Sequence, residues 1–445
     1  MFILRNQNCK VPAMKENKGN RKYLIFLTST FPYGSGETFI ENESPFLAGA
    51  FEKVFLLVPN AALSQTQRPV PENVILMPIQ QGLLWPLRVK ALFWPTFWQG
   101  FSMDLKRKNR KAGLNKAFRN CLHYYTLGLQ VKKTINNVIE KFKLPTEETI
   151  FYSYWMDEKA LGISLVKKNH PEIIAVSRAH GWDVFEERHQ PPYLPFRPWL
   201  LKTLDKVAVV SKKGAVYISE KFEPPKGKVE VSYLGTDKLN VKRAPRLGSG
   251  QENNPSISLG ARNEKYSIVS CSSIIPLKRI ELIIEALSLL NFPVSWTHFG
   301  DGPLRNELGK KAARFFEGKN IDYRFTGQIS NKQVREFYET QHVDLFISTS
   351  ETEGLPVSMM EAQSAGIPIL ATDVGGVNEI VIDDVTGWLL PANPDSAFVA
   401  GKITEIHDLL DAEKQKVREN AIKHWQNNFN AEQNYATFVN LLQNL

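Results

Sequence analysis

A chain of 445 residues, 43% hydrophobic and 23% charged, has the composition of a globular protein and is too long for one ordinary core, so two domains are expected. Its cysteines, Cys9, Cys121 and Cys271, show no CxxC spacing, which argues against a disulfide framework or a zinc site and fits a reducing cytoplasm. The net charge of +9 is unevenly spread, and no run approaches the roughly 18 to 20 apolar residues that cross a bilayer. Residues 1–22 are basic and polar and read as a flexible extension. The run "YLIFLTSTF" that follows is short for a signal peptide, and "FPYGSGE" is no small-residue cleavage site, so a first strand is expected there. "KVFLLVP", "ETIFYSYW", "EIIAVSRAH", "DKVAVVS" and "KVEVSYLG" continue as strands. Residues 238–265, polar and rich in Gly, Pro and Asn, read as a linker. Beyond it "YSIVSCSSI", "PVSWTHFG", "IDYRFTG", "VDLFIST" and "IPILATD" are strands, with helical spacing in "IELIIEALSLL", "NKQVREFYETQ" and "VSMMEAQSAG". Short, continuously apolar strands alternating with helices predict two doubly wound α/β units. These are residues 23–237 and 266–420, with a helical tail over 421–445.

From Trp85 to Lys143 there are thirteen Lys and Arg against two acids, with Trp and Phe interleaved. Three readings fit: a solvated helix face beside core aromatics, attachment to an anionic membrane surface, or nucleic-acid binding. The last lacks any recognition module. From Gln341 to Gly401 the balance inverts, with nine acids and no Lys or Arg.

The stretch "TSETEGLPVSMMEAQSAG" sits in that acidic span and carries Glu353 and Glu361. "VDLFISTS" ahead of it reads as a buried parallel strand, and ligands sit outside the carboxyl ends of such strands. Pro356 suits a helix start and Gly366 a helix end, so a helix spans the residues between them. Gly354 lets backbone approach a ligand, and the amides near Val357 point out of the helix N-terminus toward an anion. Glu361, about one turn in, tilts back toward the same end. The two carboxylates thus suit vicinal hydroxyls beside a phosphate. "SRAHGWD" puts Arg178, His180 and Asp183 after another strand, and "PLKR" puts Lys278 and Arg279 just past "YSIVSCS". "FPYGSGETF" has GxGxxF with Gly34 and Gly36, but it lacks the third glycine and the acidic ribose ligand of a nicotinamide site. "GDGP" is expected to turn a strand into a helix. No D-x-D pair occurs to hold a divalent cation.

"SETEGLPVSMMEAQSAGIPILATDVGGVNEIVIDDVTGWLL" resembles the signature of family 4 glycosyltransferases: two glutamates eight positions apart, a strand, a Gly-Gly turn at Gly375 and Gly376, and a further Glu379. "SIIPLKRIELIIEAL", "HFGDGPLRNEL", "FTGQIS", "SRAHGWDVFEE" and "TSTFPYGSGETFIENE" are similar to other parts of that family. The resemblance implies the GT-B fold, two Rossmann-like domains facing a cleft, and transfer of a sugar from a nucleotide diphosphate sugar with retained configuration. Glu353 would hold the donor sugar, Glu361 the ribose hydroxyls, and Gly354, Leu355 and Val357 the sugar and pyrophosphate. Gly34 and Gly36 would lie near pyrophosphate and acceptor, His180 against the sugar, and Ile329 in "FTGQIS" where a base contact is expected. Lys278, helped by Arg279, would balance the departing phosphate. No metal and no cofactor is implied beyond a UDP- or GDP-linked donor. The family carries Arg five residues before the lysine, and here that position is Ser273. In the family the C-terminal tail crosses back onto the first domain. The expected acceptor is a lipid-linked or oligosaccharide chain, in surface polysaccharide or lipopolysaccharide synthesis at the inner face of the membrane. The alternatives are an epimerase of the same fold, a nucleotide-sugar binder without activity, and a basic nucleic-acid binder.

Overall fold

The computed structural model describes residues 21–34, 36–80, 82–107, 112–241 and 265–445. All but the last two residues of the expected N-terminal extension, and most of the expected linker, lie outside them. Two units are distinguished: one runs to Leu234 and includes Ala431–Leu445, the other is Gly235–Asn430.

The first unit is built on β1 (Tyr23–Leu27), β2 (Lys53–Pro59), β3 (Val74–Ile79), β4 (Thr149–Ser153), β5 (Ile174–Ala179), β6 (Lys206–Val209) and β7 (Val229–Val231). They form one parallel sheet in the order β3-β2-β1-β4-β5-β6-β7. β4 is buried at every position, as an inner strand covered on both faces must be. The sheet order reverses between β1 and β4, so the loops after these strands diverge and leave a crevice at their carboxyl ends.

Glu43 and Arg178, both fully buried, form an ion pair at 3.2 Å inside this unit. Arg178 also donates to the Tyr152 hydroxyl at 2.9 Å and the Ser232 carbonyl at 3.0 Å, and lies 4.0 Å over the ring of Phe438. Phe438 belongs to the last helix, Ala431–Gln443, so this guanidinium ties the C-terminal helix to β4 and β5.

The second unit has β8 (Tyr266–Cys271), β9 (Val294–Phe299), β10 (Ile321–Phe325), β11 (Leu345–Ser348), β12 (Ile369–Thr372) and β13 (Gly387–Leu390). They form a second parallel sheet, ordered β10-β9-β8-β11-β12-β13, whose reversal falls between β8 and β11. Its core gathers Ile268, Ile283, Trp296, Leu345 and Leu370 between sheet and helices. The GDGP segment does turn β9 toward the helix Arg305–Phe316. A Cβ on Gly300 or Gly302 would fall within 2.0 and 2.3 Å of the Ser272 and Ile274 carbonyl oxygens, so these glycines let two loops touch.

Candidate functional site

In the second unit two loops leave the sheet on either side of the order reversal. After β8 the chain runs through exposed Ser273 to a short turn, Pro276–Lys278, and the helix Ile280–Leu287. After β11 it runs through Glu353 to the helix Val357–Ser364. Arg279, at φ 47°, binds the loops together: it donates to the Thr349, Ser350 and Ala392 carbonyls at 2.6, 3.0 and 2.7 Å and to Asn393 Oδ1 at 3.1 Å. The Thr349 hydroxyl returns a bond to the Arg279 carbonyl at 2.9 Å. Arg279 is thus committed to carbonyl oxygens and holds its neighbour, Lys278, in place.

Lys278 Nζ lies 2.6 Å from Glu353 Oε1, which also accepts the Ser350 hydroxyl at 2.6 Å. The loop carrying Glu353 rests on the Gly-Gly turn. Gly375 is at φ 59°, and a Cβ there would fall 1.8 Å from the Glu353 carbonyl oxygen, while Gly376 N–H donates to the Gly354 carbonyl at 2.8 Å. Only a residue without a side chain fits both demands.

Pro356 caps the helix Val357–Ser364 from an extended conformation. The first bond at this end runs from Met359 N–H to the Pro356 carbonyl at 3.1 Å, which leaves the Val357 and Ser358 amides at the helix mouth. At the other end Gly366, at φ 66°, closes the helix. Gly366 N–H bonds the Gln363 carbonyl at 2.9 Å and Ile367 N–H the Ala362 carbonyl at 3.0 Å. Glu361 is buried in this helix and accepts Asn331 Nδ2 at 2.5 Å. Burial pushes its carboxyl up to about 7, against the Asn331 bond and the charge of Arg335. Beneath the loops, burial raises the Cys271 thiol to about 12, with the Glu361 carboxylate adding and the Lys278 ammonium opposing. It is a protonated packing group, not a nucleophile. Leu355 is buried and Ile329 half-buried, the latter just before the cap Ser330 of the helix Asn331–Thr340.

In the first unit the loops after β1, β4 and β5 line a cavity of about 530 Å³ at the equivalent crevice. Gly36 and Glu37 contribute from the first loop, Trp155, Asp157 and Glu158 from the second, Trp182 and Asp183 from the third. Glu37 is structural, since its carboxylate accepts the Thr30 and Phe31 amides at 2.6 Å each and the Trp155 indole N–H at 2.5 Å. Asp157 and Glu158 share Lys159 Nζ at 2.6 and 3.1 Å. Gly34, at φ 64°, packs on the Gln65 side chain.

His180 follows β5, buried with its ring 4.4 Å from that of Trp155 and 4.8 Å from that of Tyr154. Among the described residues neither ring nitrogen has a hydrogen-bond partner. Burial, with the Arg178 charge behind it, holds the imidazole well below its usual range, so it is neutral at physiological pH. Asp183 accepts the His180 amide at 2.5 Å and the Met156 amide at 2.6 Å, and so joins the loops after β4 and β5.

Residues 252–424 match the family model for group 1 glycosyl transferases. Over 159 residues the chain is 33% identical to the O-antigen biosynthesis glycosyltransferase WbnH of Escherichia coli, covering 36% of this chain and 41% of that one. Over 251 residues it is 25% identical to the putative colanic acid biosynthesis glycosyltransferase WcaL of Salmonella typhimurium, covering 54% and 58%. The chain therefore spans about half the length of these curated relatives. Among solved structures, a glycosyltransferase from Rickettsia africae aligns at TM-score 0.65 and 15% identity, over 96% of this chain and 98% of that one. Anabaena Alr3699/HepE in complex with UDP-glucose aligns at TM-score 0.62 and 15% identity, over 95% and 100%. The fold is GT-B.

In this GT-B chain Lys278, Arg279, Glu353, Gly354, Leu355, Val357, Glu361, Gly375 and Gly376 gather at the carboxyl edge of the second sheet, whereas His180, Gly34 and Gly36 belong to the first unit. Ser350 and Asn331, which hold the two carboxylates, carry no motif of their own. The aromatic and acidic lining of the first-unit cavity had a signal, because Trp155, Asp157 and Glu158 directly follow a strand that reads clearly in sequence.

Proposed function

We propose that the chain transfers a sugar, with retention, from a nucleotide diphosphate sugar to an acceptor hydroxyl in the synthesis of a surface or exported polysaccharide. The observation that carries this is the Lys278–Glu353 pair at 2.6 Å, held at the order reversal of the second sheet beside the N-terminus of the helix that contains Glu361. A pyrophosphate at that helix mouth would meet the Val357 and Ser358 amides and the Lys278 ammonium, which together balance its charge. Glu361 would accept the ribose hydroxyls, and Glu353 would orient the sugar. In the reaction the C1–oxygen bond to the diphosphate breaks, the acceptor oxygen bonds to C1 on the same face, and its proton passes to the departing phosphate oxygen. Lys278 stabilises the charge that develops there, and no divalent ion is needed in this route. The first-unit cavity, where indole faces lie beside carboxylates, suits the acceptor sugar, with the neutral His180 ring packed behind Trp155. The names of the relatives, WbnH and WcaL, support polysaccharide synthesis as the setting, and the HepE complex with UDP-glucose supports the donor class. Cys121 and Cys271 are free thiols, in keeping with a cytoplasmic enzyme.

Thermal denaturation against a panel of UDP- and GDP-sugars tests the reading. A true donor at about 100 times its Kd adds about 2.7 kcal/mol of stability. If no nucleotide sugar or nucleotide raises the transition, the reading fails; if the donor turns over without acceptor, an epimerase replaces it. The pH dependence has a definite sign. Glu361 holds its proton in the fold up to about 7, where the unfolded chain has released it near the ordinary 4.5, so its contribution to stability declines as pH rises between these values. Its carboxylate is the form that accepts two hydroxyls. Donor affinity should therefore rise as pH increases through about 7, and Glu361→Gln should bind more weakly with a flat profile.

Gly375→Ala addresses the Glu353 loop without removing any polar side chain. A Cβ 1.8 Å from the Glu353 carbonyl must push that loop aside, and displacement by about 1 Å typically costs about 10²-fold in turnover. Turnover is expected to fall by that order with the second unit still folded. Near-normal turnover would mean that the position of Glu353 is immaterial.

A further inference from the structure

Residues 82–107 and 112–133 of the first unit form a surface whose chemistry matches neither a solvated face nor a closed core. The helix Leu84–Ala91 has apolar residues on two faces. Leu84, Leu87 and Ala91 are half-buried or buried, while Trp85, Val89 and Leu92, at i, i+4 and i+7, are exposed. The turn to the next helix, Pro95–Leu105, adds Phe93 and Trp94, and Leu83 precedes the first. Leu83, Trp85 and Phe93 are 82%, 74% and 80% exposed, extreme values for side chains of this size. Of the 22 large hydrophobic residues exposed among the described residues, nine fall between Leu83 and Leu114.

The charges around them have one sign. Arg88, Lys90, Lys106, Lys116, Arg119 and Lys133 are exposed. The sole acid in this stretch, Asp104, is buried and accepts the Tyr193 hydroxyl at 2.8 Å and the Phe196 amide at 2.7 Å. Among the described residues of this stretch no acidic side chain is exposed. Bare indole and phenyl rings amid lysine and arginine fit the boundary between lipid headgroups and acyl chains.

We propose that this pair of consecutive helices docks the protein on the surface of an anionic phospholipid bilayer, with Leu83, Trp85, Phe93 and Trp94 entering the headgroup boundary and the surrounding basic residues contacting lipid phosphates. Among the described residues no helix is long and apolar enough to cross a membrane, and the proposed contact is with the bilayer surface. The inference stands apart from sugar transfer, because vesicle binding is read without donor or acceptor.

The test is co-sedimentation of the full chain with phosphatidylcholine vesicles, with and without about one-third phosphatidylglycerol. Binding is expected to the anionic vesicles, to weaken with added salt, and to be slight on pure phosphatidylcholine. The double variant Trp85→Ser/Phe93→Ser should bind at least about 10-fold more weakly, and Lys90→Glu/Lys116→Glu should lose the preference for phosphatidylglycerol. Both pairs lie on the surface, so unchanged circular dichroism and melting establish that the fold is intact. No binding to anionic vesicles overturns the proposal, as does a Trp85→Ser/Phe93→Ser variant that binds as well as the parent. A chain that ignores vesicles but forms a dimer abolished by that variant would make the face a protein interface instead.

Discussion

Lys278→Ala is expected to lower kcat/KM for the nucleotide-sugar donor by about 10²–10³-fold, a loss of about 2.7–4 kcal/mol of transition-state stabilisation. The effect is large because few other cations stand at this edge. Arg279 is tied to carbonyl oxygens, Arg305 pairs with Asp301 at 2.8 Å and Arg335 with Asp237 at 2.8 Å. Residues 341–401 contain no Lys or Arg. With Ser273 where the resembled family has arginine, the proposed role falls on one ammonium. Some stability should be lost as well, since removing the ammonium leaves the Glu353 carboxylate, 11% exposed, with the Ser350 hydroxyl alone to replace it. The readout is steady-state kinetics with varied donor, with a fall in kcat distinguishing the departing phosphate from ground-state binding. Arg279→Ala should lose both activity and local stability, because it releases the loops that hold Lys278. A Lys278→Ala enzyme within about threefold of the parent would remove the lysine from the chemistry.

Much of this site is legible because its parts are backbone devices. A Pro at a helix start, a Gly at its end and a Gly-Gly turn are each required by a particular dihedral or close approach, and Gly366 and Gly375 do lie at positive φ. The inner strands read clearly because both of their faces are covered. The strands that escaped, β3 and β13, are the outer strands of their sheets, and β3 carries Pro78, which lacks the N–H an inner position needs. Arg279 was harder to place. A basic pair after a strand looks like a phosphate clamp, and only the fold reveals that the second member bonds to carbonyls 70 and more residues away. His180 is similar: nothing in "SRAHGWD" announces a ring sealed against Trp155 and Tyr154. Burial by distant residues sets its charge, and that is a tertiary property.

Arg178→Met should destabilise the first unit by about 3–5 kcal/mol, the usual cost of leaving one partner of a buried ion pair alone. Glu43 is fully buried, and without the guanidinium its carboxyl keeps the hydrogen bond from the Tyr152 hydroxyl at 2.9 Å. It must then take up a proton or draw in water. Loss of the stacking on Phe438, 4.0 Å away, also loosens the C-terminal helix from β4 and β5. For a unit of this size the melting midpoint should fall by roughly 6–20 °C. Because two units unfold, the measurement needs scanning calorimetry that separates their transitions, and only the first unit's should move. The companion Glu43→Gln/Arg178→Met removes both charges and should recover part of the loss. If the single substitution shifts the first unit's transition by less than about 1 kcal/mol, or the second unit's shifts equally, the pair is not what fastens the last helix to its sheet.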